Sequence, residues 1–224
     1  MSRAAMTWVL LRKDLRIASR AKALLGVTLL FSVLCVLIFA FGFLREGTAP
    51  DEVIPGVLWV TLLFSGTVVL LRLFSADEEA GALDLLQSTA TGPQPVFFSK
   101  AVLHVCFCAI VALLVLPLVM VFFDARPVGL VWVSVALVLG LVGQAVVGTL
   151  CAALLIRVQL REVLLPLVLY PTLAPLLIAG VKVTALSLAG GTTDGVLPWL
   201  TLMVVFDAVF MLVSPWLHAR VMEA

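Results

Sequence analysis

Six long apolar stretches, separated by short polar segments, constrain this chain more than any other feature of its sequence. We place them at 23–44, 53–74, 101–123, 128–156, 163–183 and 197–217. At 1.5 Å per helical residue, about 20 residues cross a hydrocarbon layer about 30 Å thick. With 63% hydrophobic and 12% charged residues, the chain is too apolar for a soluble domain of its length. The sequence therefore predicts an all-α integral membrane protein, with six transmembrane helices in a single domain covering residues 1–224.

The polar segment before the first apolar stretch, residues 7–22, has the pattern of an amphipathic helix. Its arginines recur every four residues, and its apolar side chains form a stripe on another face: Arg12, Arg16 and Arg20 against Trp8, Leu11 and Leu15. Such a helix lies in the headgroup layer, with its cations near anionic lipid. Alternatively, the segment is only a basic flank that orients the first span.

The distribution of lysine and arginine predicts the orientation of the six spans. An even number of spans puts both termini on one side of the membrane. That side has eleven basic residues: Arg3, Arg12, Lys13, Arg16, Arg20, Lys22, Arg72, Lys100, Arg157, Arg161 and Arg220. The opposite side has three, Arg45, Arg126 and Lys182. Because basic residues are retained in the cytoplasm, we expect both termini to be cytoplasmic.

The longest polar insertion, residues 77–100, also lies on the cytoplasmic side by this argument. Its acids are Asp77, Glu78, Glu79 and Asp84, followed by a helix-compatible run and the breakers Gly92, Pro93 and Pro95. This pattern predicts a short amphipathic helix and a turn between spans two and three. Such a helix suits a soluble partner, and the alternative is a solvated acidic loop that contacts nothing.

Two spans contain residues that affect helix packing. Span four carries Gly140, Gly143 and Gly148, small positions where another helix can approach closely. Span five carries three prolines, Pro166, Pro171 and Pro175, and each of them removes a backbone donor. A straight helix through these prolines is not expected. The irregular span is interpreted either as a gate or dimer interface or simply as a kinked packing element.

Asp207 is the most unusual single residue because it lies at the midpoint of span six. An aspartate there costs about 2.5 to 3.5 kcal/mol on insertion scales, which the surrounding apolar residues offset. No cation lies at a matching depth, since Lys182 is near the outer end of span five and Arg72 near the inner end of span two. We therefore expect Asp207 to be protonated or bonded to a hydroxyl or backbone group. Its role is either structural or part of a transport pathway.

Few residues in the spans could bind haem iron or another metal. The potential axial ligands His104, His218 and Tyr170 are scattered, and no C-x-x-C-H motif is present. We interpret both histidines as interfacial polar residues. The four cysteines, Cys35, Cys106, Cys108 and Cys151, lie in apolar runs and are expected to be small buried packing residues. The sequence predicts no stable cofactor and no metal site on this chain, and no basic patch of the kind that binds nucleic acid.

The order of these segments resembles the membrane subunit of an ABC-2 type exporter, and more closely the haem exporter protein B (CcmB) family of bacterial cytochrome c maturation. The resemblance lies in Pro55 to Val60, in Asp77 to Leu86 with Lys100, and in Arg161 to Pro166 with Pro171 and Pro175. It covers the chain from Arg12 to the tail. The family's ABC-2 (type V exporter-like) fold is therefore expected.

The resemblance implies a role for the acidic insertion as a coupling helix that binds an ATP-binding subunit. Its contact residues are then Asp77, Glu78, Glu79, Gly81, Leu83, Asp84, Leu85 and Leu86. Because the chain has no Walker A motif, ATP is expected on that separate, CcmA-like subunit, and the chain itself is not an enzyme. Further implied partners are a second copy, CcmC-, CcmD- and CcmE-like proteins and membrane lipid. Haem is implied only as a transient cargo.

Other functions stay open at this point. The chain could be an ABC-2 permease for another cargo, such as a lipid, a drug or a polysaccharide. It could also be an ion-coupled secondary transporter that uses Asp207, although no internal repeat supports this. The pathway or interhelical candidates are Asp207, Tyr170, Lys182 and His104. An intramembrane enzyme is the weakest alternative, because no nucleophile and base or paired carboxylates share a depth.

Overall fold

A computed structural model describes residues 6–12, 22–43, 52–79, 94–126, 128–155, 158, 160–190 and 192–223. Its long helices are α1 (Lys22–Phe43), α2 (Val53–Glu79), α3 (Gln94–Phe122), α4 (Leu130–Leu154), α5 (Arg161–Leu188) and α6 (Thr193–Glu223). Residues 6–12 are also helical. All six long helices are long and apolar enough to cross a membrane. The all-α integral membrane fold predicted from the sequence is therefore confirmed.

The helices form one bundle in which α2 is the most enclosed member. It packs against α1, α3, α4 and α5, whereas α4 makes its largest contacts with α5 and α6. In the most apolar part of α2, 72% of the residues are buried, compared with 22% in both α1 and α6. Because lipid is as apolar as leucine, the outward faces of α1 and α6 can expose apolar side chains without cost. Position within the bundle, rather than hydrophobicity, thus distinguishes α2.

Most helix ends extend beyond the apolar stretches that predicted them. Helix α2 continues through the acids Asp77, Glu78 and Glu79, and α3 begins at Gln94. Helix α6 runs from Thr193 to Glu223, well beyond the apolar stretch at 197–217. An apolar run marks only the part of a helix inside hydrocarbon, and the backbone continues as helix into the headgroup layer.

Helix α5 corresponds to span five. It is continuous from Arg161 to Leu188, although it contains Pro166, Pro171 and Pro175. In the part of the chain described after Leu188, a turn leads to α6. Proline is tolerated inside transmembrane helices because neighbouring groups satisfy the freed backbone atoms. The prolines therefore do not interrupt α5, and the departure from a straight helix stays a prediction.

Tight connections join the helices on the side opposite the termini. The turn after α3 places Asp124 at a positive φ of 47° and ends with the Gly129 N–H donating to the Ser187 carbonyl at 3.3 Å. The turn after α5 uses Gly190 at φ 68°, a left-handed conformation that glycine adopts without steric cost. These turns tie the ends of α3, α4 and α5 together.

The N-terminal helical segment is described only over residues 6–12. Leu10 and Leu11 are buried and Leu11 joins the main apolar core, whereas Trp8 is 64% exposed. Arg16, Arg20 and Leu15, which completed the predicted amphipathic pattern, lie outside the described residues. A headgroup-layer helix over 7–22 therefore stays a prediction.

Candidate functional site

Buried hydrogen bonds connect α2 to each of the four helices around it. Ser65 of α2 and Ser32 of α1 share a hydrogen bond of 2.7 Å between their hydroxyl oxygens. Nearer the start of α2, the indole Nε1 of Trp59 donates to the Oγ1 of Thr184 in α5 at 3.0 Å. Thr184 in turn donates to the Gly180 carbonyl of its own helix. No water competes for such groups inside a bilayer, so interhelical polar pairs hold helices in register.

The other two bonds end on backbone carbonyls of α2. Gln144 of α4 donates from Nε2 to the Leu63 carbonyl at 3.0 Å. On α3, the His104 Nε2 lies 3.0 Å from the Gly66 carbonyl. The Cys108 Sγ lies 3.4 Å from the same His104 nitrogen. These bonds lie along two turns of α2, between residues 59 and 66. We call this set of four interhelical bonds the α2 polar belt.

Trp59 also shows why two glycines occupy their positions. Its ring lies between Gly140 of α4 and Gly180 of α5, and a methyl group on either glycine would overlap the ring. Elsewhere on α4, Gly148 contacts Leu70, and Gly143 contacts both Leu176 and Asp207. The close approach predicted for the glycines of span four is confirmed, and their partners belong to this chain.

Asp207 lies in the middle of the bundle, where α6 meets α4 and α5. Its side chain is 5% exposed, and Oδ1 points toward Gly143, where a methyl group would overlap it. Neither carboxyl oxygen has a hydrogen-bond partner among the described residues. The expected bond to a hydroxyl or backbone group is therefore not formed. The alternative expectation, a protonated Asp207, stays a prediction.

The four pathway candidates contact different neighbours and form no single cluster. Asp207 lies against Gly143, and His104 is bonded to α2. The Tyr170 ring packs edge to face on Phe64, with 5.6 Å between the ring centres. Lys182 is exposed on α5, near the end of the helix at Leu188. A transport pathway that uses all four side chains in this conformation is not supported by these positions.

The residues predicted for the coupling helix are described only in part. Asp77, Glu78 and Glu79 form the last residues of α2. Gly81, Leu83, Asp84, Leu85 and Leu86 lie outside the described residues. Their contact with an ATP-binding subunit therefore stays a prediction, although α2 connects this acidic end directly to the α2 polar belt.

The histidines are buried within the bundle, and the cysteines are buried only in part. His104 and His218 are 0% and 1% exposed, and their placement near the membrane interface stays a prediction. Cys108 and Cys151 are buried as expected, whereas Cys106 is exposed and Cys35 half-buried. Within the described part of the chain, no group of three His, Cys, Asp or Glu side chains could hold a metal ion. A helix buries its polar residues wherever they face another helix, which distance from the membrane surface does not reveal.

Sequence reasoning did not identify most members of the α2 polar belt. Ser32, Ser65, Gln144 and Thr184 are single polar residues inside apolar runs, and such residues face other helices rather than lipid. That signal could have selected them as interhelical contacts. Their partners could not have been inferred, because spacing along one helix does not show which helix lies opposite.

Comparisons with known proteins agree with this architecture. Residues 5–224 match the family model described as CcmB protein. Heme exporter protein B of Rhodobacter capsulatus is 33% identical over 173 residues, covering 77% of this chain and 79% of that protein. The protein of the same name from Paracoccus denitrificans is 32% identical over 184 residues, covering 81% and 83% of the two chains. The match extends over nearly the whole chain, and the chain therefore belongs to the CcmB protein family.

Proposed function

We propose that this chain is the transmembrane permease subunit of an ATP-driven ABC exporter that acts in c-type cytochrome biogenesis in the bacterial cytoplasmic membrane. The observation that carries the proposal is the family match over residues 5–224, on a chain with six membrane-crossing helices. Relatives named heme exporter protein B support haem as the cargo, and release of a haem-loaded chaperone is the alternative within this proposal.

The geometry of α2 supports a mechanical role for the acidic segment. Helix α2 is continuous from Val53 to Glu79, so its acidic end is joined directly to the four bonds of the α2 polar belt. In our proposal a separate ATP-binding subunit contacts residues 77–100, and its movement is passed through α2 to α1, α3, α4 and α5. A second copy of the chain and CcmC-, CcmD- and CcmE-like proteins complete the proposed assembly.

Affinity purification from solubilised membranes, with mass spectrometry of the co-purified proteins, tests this proposal. We expect the wild-type chain to bring an ATP-binding subunit and cytochrome-maturation proteins. Glu78→Lys with Glu79→Lys reverses the charge at the acidic end of α2, and the ATP-binding subunit is then expected to be lost because acidic groups no longer meet its basic groups.

The matched control is Glu52→Lys with Asp194→Lys. Both residues are exposed, at the start of α2 and of α6, and in the proposed orientation they face away from the cytoplasm. This variant has the same change in net charge and is expected to keep the ATP-binding subunit. If the wild-type chain is purified alone, the exporter proposal fails. If an ATP-binding subunit of another transport system comes with it, a permease for another cargo replaces the proposal.

The proposed orientation places both termini in the cytoplasm. Reporter fusions that are active only outside the cytoplasm are expected to be inactive after residue 224 and active after Glu46, in the loop between α1 and α2. The opposite pattern would reverse the membrane orientation and place residues 77–100 out of reach of any ATP-binding subunit.

A further inference from the structure

Helix α6 buries a row of polar side chains on its inward face. Asp207, Ser214 and His218 are 5%, 0% and 1% exposed. Their spacing of seven and four residues places them on one side of a helix. Among the described residues, no hydrogen-bond partner reaches either oxygen of Asp207, the Oγ of Ser214 or the Nδ1 of His218. The row runs from mid-membrane to the end of α6 at residue 223.

The opposite half of the same face is apolar. From Asp207 toward the beginning of α6, the buried side chains are Met203, Leu200 and Val196. Among the buried side chains that the structure describes on α6, polar ones therefore occur only from Asp207 toward the residue-223 end. Because the apolar half closes one end of the interface, water inside it can be continuous only with the residue-223 end.

The surroundings of the row show where these atoms lie. The ring of His218 packs on Phe97 of α3, with 5.4 Å between ring centres. Phe97, Val146 and Leu150 form a buried cluster, which Phe210 and Leu217 of α6 contact. The buried hydroxyl Oγ1 of Thr149 on α4 also has no partner among the described residues. It lies about 9 Å along α4 from Gly143, the residue that contacts Asp207.

Buried polar atoms of this kind are normally satisfied by protein groups or by internal water. Internal waters occupy sites where two to four polar groups are otherwise unbonded. Along α6, Asp207 is about 10 Å from Ser214, which is about 6 Å from His218. One to three waters at a spacing of about 2.8 Å would bridge each interval, passing beside the Phe210 ring.

We infer that the α3–α4–α6 interface between His218 and Asp207 holds a file of internal water that reaches the mid-membrane carboxyl group from the residue-223 end. The ligand is water, with the protons that it carries, and the file stops at Met203. This inference does not depend on the proposed transport function, because it rests only on the buried polar atoms of α6 and α4.

Cysteine labelling tests the inference. In a variant whose four native cysteines are replaced by alanine, Ser214→Cys changes one atom at the centre of the row. Because the thiolate is the reactive form and its formation requires water, we expect Ag⁺, a membrane-impermeant thiol reagent close to water in size, to modify it at least about tenfold faster than Met203→Cys. Met203 is the matched control, since it is fully buried on the same face. Labelling should occur only when the reagent is on the side of residue 223.

A second variant keeps the test decisive if Ser214→Cys fails to assemble. His218→Cys lies nearer the end of the helix and is expected to react faster than Ser214→Cys. Equal and slow reaction at positions 203, 214 and 218 would overturn the inference and leave a dry interface. Equal and fast reaction at all three, or labelling only from the residue-193 side, would also overturn it, because neither result fits a file that ends at Asp207.

Discussion

The indole Nε1 of Trp59 donates a hydrogen bond of 3.0 Å to the Oγ1 of Thr184, joining α2 to α5 in the centre of the bundle. Thr184 is 3% exposed, and the ring of Trp59 fills the space left by Gly140 and Gly180. The bond therefore fixes the orientation of a ring that three helices share. The contribution of this hydrogen bond to stability can be separated from that of packing, because valine has the shape of threonine without the hydroxyl.

We predict that Thr184→Val lowers the free energy of unfolding by about 1–3 kcal/mol, because it leaves the buried Trp59 N–H without an acceptor. Thr184→Ser keeps the hydroxyl and is expected to cost about 1 kcal/mol or less, from the lost methyl group. Reversible unfolding in mixed micelles measures both values. Equal losses for the two variants would show that the methyl group, not the hydrogen bond, matters at this position.

The contacts of Trp59 lead to a second prediction. Gly140→Ala or Gly180→Ala places a methyl group against the ring, and each is expected to destabilise the bundle by about 1–3 kcal/mol through overpacking. Gly26→Ala is the matched control, because nothing lies within 4 Å of the position of its added methyl group. The control is expected to be neutral or stabilising, since alanine favours helix over glycine by about 0.5–1 kcal/mol.

A second substitution, at Trp59, tests whether Gly140→Ala is costly because of the ring or because α4 tolerates no substitution at this position. Trp59→Leu removes the ring, so Gly140→Ala should cost less in that background than in the wild type, a non-additive result expected of residues in contact. An unchanged cost would mean that the methyl group disturbs something other than Trp59.

The sequence was sufficient to predict the membrane architecture because a span needs only length and apolarity. For α5 the prolines predicted a helix that is not straight, and the structure adds that the helix is continuous through Pro171. The glycines of α4 indicated close contacts without identifying Trp59, Leu70 and Asp207 as the partners. Pairing across a bundle depends on the rotation of each helix, and one sequence contains no direct record of it.

The sequence also did not show which neighbouring helix each polar residue faces. His104 was interpreted as interfacial from its position along span three, and that position did not reveal its contact with the Gly66 carbonyl of α2. Asp207 could be recognised from sequence because a charged side chain at mid-span is costly. Its unbonded environment depends on which residues of α4 and α5 lie opposite, so it required the structure.

The third prediction concerns Gly66 and Gln144 in the α2 polar belt. A methyl group at Gly66 would overlap the amide of Gln144, which could move only by leaving the Leu63 carbonyl. Gly66→Ala is therefore expected to cost about 1–3 kcal/mol of stability. Gly56→Ala on the same helix is the control, because its added methyl group meets nothing within 4 Å.

Gln144→Ala should rescue part of this loss by removing the amide that the methyl group displaces. We expect the double variant to be more stable than the sum of the two single losses predicts, by about 0.5 kcal/mol or more. Strict additivity in the same micelle unfolding measurement would contradict the contact between these two residues.

The last prediction concerns the buried carboxyl group of Asp207, which no described protein group stabilises by a hydrogen bond. Asp207→Leu nearly preserves the branched shape and removes a polar group whose burial is costly even when only water bonds it, so it is expected to raise the free energy of unfolding by about 1–3 kcal/mol. Asp207→Asn stays polar and should change stability little. Because a polar residue at this depth is normally functional, we expect Asp207→Leu to reduce the assembly of c-type cytochromes, measured by haem staining, while its protein level is maintained.

The two measurements together decide what Asp207 does. If Asp207→Leu destabilises the bundle, the carboxyl group serves as a structural contact and its environment must contain a bonding partner. If Asp207→Leu raises stability and leaves cytochrome assembly intact, the residue has no role in transport. A functional role for the carboxyl group is supported only if Asp207→Leu is more stable than the wild type and loses function. In that case, retention of function by Asp207→Asn would show that the site requires hydrogen bonding rather than charge.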